Sequence, residues 1–234
     1  MPYNKLKTLV TTGRLLAITK LSALILVLAA PVAAQTVIPV APFRAIELHD
    51  GGHVSLRQGP VQRVTLIKGS TDCAQLTVAD DHRLVIDKYN GRCVHGYELE
   101  IEIVTPSISE ISVANGGIIQ TRGSFPRQAE ITTDVSNGGI IDIRSIAVDR
   151  VTASIAHGGR ILVMPQITLS ASVSNGGGVT YWGDPQVQSS VSHGGAITKG
   201  SATEADKPLS ELNPSIGNGC APAGNAMTPR GRIF

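Results

Sequence analysis

Residues 135–143 read VSNGGIIDI, and close variants of the phrase recur: VANGGIIQT from 113, IAHGGRILV from 155, VSNGGGVTY from 173 and VSHGGAITK from 191. A sixth Gly-Gly pair stands at Gly51-Gly52. The residue before each pair is Asp50, Asn115, Asn137, His157, Asn175 or His193, all polar types that tolerate positive φ better than most. Two positions further upstream stand Leu48, Val113, Val135, Ile155, Val173 and Val191. Two positions after each pair stand Val54, Ile119, Ile141, Ile161, Val179 and Ile197. Aliphatic residues alternating with small or polar ones on both sides of a turn mark strands with one buried face.

Spacing separates a chain of hairpins from stacked repeats. From Asn115 onward the turn residues follow at intervals of 22, 20, 18 and 18. Regular self-similarity at such a period predicts an all-β chain wound as a parallel β-helix, a β-solenoid with turns of about 18–22 residues. Stacking would set like residues about 4.8 Å apart, so that Asp50, Asn115, Asn137, His157, Asn175 and His193 form a structural ladder of turns. Between the first and second pairs, VQRVTLI, LTVADDHRLVI and YELEIEIV read as strands separated by KGSTD, DKYNGR and TPS.

The first 34 residues differ in kind. Lys5, Lys7, Arg14 and Lys20 are their only charges, and LSALILVLAAPVAA follows from Leu21 to Ala34. A basic region, a short apolar run and small residues at Val32 and Ala34 predict a cleaved signal peptide over 1–34. A spanning helix needs about 20 apolar residues, so retention as an anchor is the minor alternative. The domain plan is then a signal peptide at 1–34, a linker at 35–42, the β domain at 43–200 and a disordered polar tail at 201–234. Of 20 basic and 18 acidic residues the leader holds four basic, which leaves 16 against 18 in the exported chain. That balance offers no field to gather nucleic acid or anionic lipid, and no membrane span is expected after signal cleavage.

His157 and His193 share a column with Asn175 between them, so two steps separate them by about 9.6 Å, too far for one zinc ion. No metal and no cofactor are expected. The Ser elbow, phosphate loop and H-E-x-x-H signatures do not occur in the sequence. Asp134 and Asp142 flank one turn and Asp80-Asp81 lie in a loop, where solvated surface acids are the ordinary case. Cys73 and Cys93 lie twenty residues apart, one repeat, and their pairing is expected in an exported chain. Cys220 is left over in the tail. Tyr181 and Trp182 are the one aromatic cluster, either a ligand platform or a cap over the last repeat.

The run VTYWGDPQVQSSVSHGGAITKG at 179–200 and the opening FRAIELHDGGHVSLRQG at 43–59 resemble the head GIN domain family of bacterial exported proteins, described as autotransporter adhesin heads. The resemblance spans roughly residues 43 to 200. It implies a right-handed parallel β-helix with short sides, and it carries over no catalytic residue. The leading expectation is an exported, non-enzymatic module of a Gram-negative bacterium, located in the periplasm, at the cell surface or outside it. It would adhere to an envelope polymer or a protein. The rivals are a carbohydrate-active enzyme of lyase or hydrolase type and a purely structural envelope component.

Overall fold

The computed structural model describes residues 35–88 and 98–212. The expected leader, Cys93 and Cys220 lie outside these described residues. The strands are β1 (Thr36–Ile38), β2 (Ala45–His49), β3 (His53–Gln58), β4 (Arg63–Lys68), β5 (Ala74–Val78), β6 (Arg83–Lys88), β7 (Glu100–Thr105), β8 (Glu110–Ala114), β9 (Ile118–Arg122) and β10 (Gln128–Ser136). Two long strands follow, β11 (Ile140–Ala156) and β12 (Arg160–Ser174), then β13 (Gly178–Tyr181), β14 (Gln186–Ser192) and β15 (Ala196–Lys199). Two single-turn helices, α1 (Ala202–Ala205) and α2 (Leu209–Leu212), close the described chain.

Among the described residues all fifteen strands belong to one curled sheet. One strip runs β5, β6, β2, β8, β10, the later part of β11, that of β12, and β14, and all of these but β5 and β6 lead into a Gly-Gly turn. The other runs β1, β4, β7, β3, β9, the first residues of β11 and β12, then β13 and β15, and all of these but β1, β4 and β7 follow a Gly-Gly turn. Because β11 and β12 run through both strips, the sheet is continuous.

The strand orientations correct the expected fold class. β4 runs antiparallel to β7, β1 antiparallel to β4, and β5 antiparallel to β6. The fold is therefore an all-β curled sheet of mixed orientation, and not the right-handed parallel β-helix. The cause is local. The Gly-Gly phrase carries the chain from one strip to the other in a constant direction, and residues 59–88 lack it. There the chain reverses instead, as at Ala79–His82, where His82 adopts φ 63° and its N–H donates to the Ala79 carbonyl at 3.0 Å.

The aliphatic columns face the concave side. Leu48, Val113, Val135, Ile155 and Val173 are at most 2% exposed, as are Val54, Ile119, Ile141, Ile161 and Val179. They pair in register: Leu48 beside Val113, Val113 beside Val135, then Ile155, Val173 and Val191. Val191 is the exception at 47% exposure, because β14 is the last strand of its strip and no further repeat covers it.

Candidate functional site: the turn column and the cleft on the convex face

Each of the six turns has three consecutive residues with positive φ. At the central copies these are Asn137 (55°), Gly138 (85°) and Gly139 (110°), then His157 (61°), Gly158 (84°) and Gly159 (110°). The two glycines serve different needs. A Cβ on Gly158 would meet nothing within 4 Å, so only its backbone conformation asks for glycine. A Cβ on Gly159 would lie 2.4 Å from Val135 Cγ1 and 3.0 Å from the Gly139 carbonyl oxygen. The second glycine is thus the contact surface between one repeat and the buried aliphatic residue of the repeat beneath it.

Backbone bonds tie the turns together. The N–H groups of Asn115, Asn137, His157 and Asn175 donate to the carbonyls of Ser136, Ala156, Ser174 and Ser192, each at 3.0 Å. Asn115 Nδ2 donates to Asp50 Oδ1 and Asn137 Nδ2 to Asn115 Oδ1, both at 3.1 Å, so the side-chain ladder links the first three members. His157, Asn175 and His193 continue the same column through their backbone, with Asn175 between the two histidines.

Trp182 does not form an exposed platform. It is 4% exposed, and its indole N–H donates to the Ser201 carbonyl at 2.8 Å. Around it Ile140, Leu162 and Leu209 form a second apolar cluster, on the convex face. Tyr181, next in the chain, packs against the main core instead. The segment from Ser201 to Leu212, expected to be unstructured, is held on that face. Single helical turns suffice there because side chains from the sheet satisfy their carbonyls. Arg144 Nη1 donates to the carbonyls of Glu204 (2.9 Å) and Ala205 (3.2 Å), and Nη2 donates to that of Lys207 (3.1 Å). The same guanidinium lies 5.1 Å from the Trp182 ring and donates to both oxygens of Asp142, at 2.9 and 2.7 Å. Arg160 Nη1 adds a bond to the Leu212 carbonyl.

Beside this anchor a cleft of about 640 Å³ opens between the convex face and residues 205–210. Ile118 and Met164 supply apolar lining. Thr121 and Ser145 supply hydroxyls 2.6 Å apart. The Gln120 amide satisfies its neighbours when its oxygen is set toward His53 and Arg122, where it accepts from His53 Nε2 at 2.8 Å and from Arg122 Nε and Nη2 at 3.1 and 2.8 Å. Burial, helped by the Arg122 charge, holds the His53 imidazole below its ordinary pKa, with Glu100 opposing. Among the described residues no carboxylate forms an ion pair with Arg122.

The other residues singled out in the sequence are spread over the molecule. Asp81 accepts from the N–H and Nε of Arg83 beside the hairpin at 79–82. Asp134 lies on the other strip, and burial with the nearby Glu110 charge raises its pKa, against a Ser154 hydrogen bond and Arg83. Cys73 precedes β5 and is not a free thiol. Arg144 and Arg122 escaped sequence reading. The only signal was an Asp-x-Arg step at 142–144, in positions where alternation reads a solvated face.

Fold and cleft together define an all-β domain with an anchored strap at residues 201–212. The pattern of the family described as "Putative auto-transporter adhesin, head GIN domain" matches residues 42–131 and 127–185, and the chain belongs to this family. Similar solved structures include a "putative adhesin" from Bacteroides fragilis NCTC 9343, at 17% identity over 71% of this chain and 96% of that one, with a TM-score of 0.46. Others are a "Putative lipid binding protein" from Parabacteroides distasonis ATCC 8503 (14%, 72% and 96%, 0.35) and a "putative cell adhesion protein" from Clostridium sporogenes ATCC 15579 (11%, 71% and 98%, 0.33). No curated protein matches the chain.

Proposed function

We propose that the protein is an exported, non-enzymatic adhesion head that binds a component of the cell envelope. Family membership supports the adhesive role, and the leader read at 1–34 supports export. The state of Asp142 carries the case against catalysis in the cleft. Both of its oxygens accept from Arg144 and its side chain is 11% exposed, so it cannot act as a free acid or base. Asp206, the cleft's other carboxylate, is exposed at the end of α1, and the only second carboxylate in the lining is the Arg144-bound Asp142. In the exported form Cys73 pairs with Cys93, which non-reducing peptide mapping checks; a Cys73–Cys220 peptide would refute that pairing.

The full exported chain, applied to arrays of envelope polysaccharides and surface proteins, is expected to bind without product release. A parallel polysaccharide-cleavage screen supplies the contrary result. Turnover that disappears on Asp206→Asn or Asp134→Asn would make the protein an enzyme.

A further inference from the structure

We propose that the cleft under residues 205–210 binds an acidic sugar, a uronate unit whose carboxylate pairs with Arg122. This rests on the reading of the protein as a binding head and names the chemistry of its ligand. Arg122 is exposed, and its Nε and one Nη2 hydrogen are directed to the neutral Gln120 oxygen. No carboxylate among the described residues pairs with Arg122, and its planar guanidinium presents donors in the fork that suits a carboxylate. Arg144 differs, since Asp142 and three carbonyls already saturate it. Of the charges lining the cleft, Arg122, Arg144 and Lys207 face Asp142 and Asp206, leaving an excess of one positive charge for an anion.

The remaining lining suits a saccharide better than a peptide. Ile118 and Met164 offer an apolar patch for the C–H face of a ring, while Thr121, Ser145 and Gln120 offer hydroxyl and amide partners at its edge. A peptide would need backbone partners. At this face β9 and β11 are paired on both sides, and the carbonyls of Glu204, Ala205 and Lys207 already accept from Arg144. The volume of about 640 Å³ falls in the range of small-ligand sites.

The test uses the full chain, titrated by calorimetry with trigalacturonate and with its methyl ester. Wild type should bind the acid, and both the ester and the Arg122→Gln variant should bind about tenfold or more weakly. Arg122 is exposed, so Arg122→Gln should melt with the wild type. Arg150→Gln, which removes an exposed cation remote from the cleft lining, should bind within about twofold of wild type. Equal binding of acid and ester, or undiminished binding by Arg122→Gln, would overturn the assignment. Absence of trigalacturonate binding in a chain that still binds envelope material would overturn this inference alone. Absence of both would overturn the binding-head reading with it.

Discussion

Gly158 and Gly159 adjoin each other at positive φ, yet only the second has a neighbour that a methyl group would strike. Gly158→Ala should therefore cost about 1–2 kcal/mol, the left-handed penalty alone. Gly159→Ala should cost roughly 1–3 kcal/mol more, because Val135 and the Gly139 carbonyl must move. Thermal melts compare them directly, and equal losses would mean that the repeats do not meet at the second glycine. His53 gives a residue-scale pH effect. Its folded pKa lies below the unfolded value near 6.5, so the unfolded chain binds the extra proton first. Stability should be full above about pH 6.5 and fall as pH drops toward the folded pKa. That slope should shrink in His53→Gln; an unchanged slope would assign the effect to other groups.

At the scale of elements, the inward columns were legible because a strand's two-residue period assigns faces without reference to partners. Strand direction was not legible for the same reason. The alternation of β4 or β5 is identical whether it pairs parallel or antiparallel, and only the missing Gly-Gly phrase hinted at the reversals at 59–88. Coverage was equally silent: Val173 and Val191 occupy one column, but Val173 is 2% exposed and Val191 47%. Val173→Asp should cost several kcal/mol or prevent folding, since the carboxylate would be buried without a partner. Val191→Asp should cost less than about 1 kcal/mol by the same measure. Comparable losses in urea melts would show that β14 is covered in solution.

For the whole molecule, the C-terminal strap and the sheet depend on one another through Arg144. Sequence reading missed this because each helix is four residues long, too short for an apolar period, and because Arg144 stands on the face that alternation assigns to solvent. Arg144→Leu would free three carbonyls of the strap and strand Asp142 in a buried site, a loss of about 3–5 kcal/mol. The double variant with Asp142→Leu should recover part of it. Trp182, the chain's only tryptophan, reports the event. Its emission should shift to the red in Arg144→Leu as Ser201 and Leu209 leave the indole. An unshifted spectrum in the folded variant would show that the strap holds without the guanidinium.

The central claim divides labour within the molecule: the turn column builds the stack, and contact with a partner is made elsewhere. The most direct measurement is envelope binding by His157→Gly, corrected for folded fraction. Glycine adopts the φ of 61° without steric cost, so the variant should fold with a small change in stability and bind as the wild type does. Loss of binding in a folded His157→Gly protein would make the column a recognition surface and contradict the account.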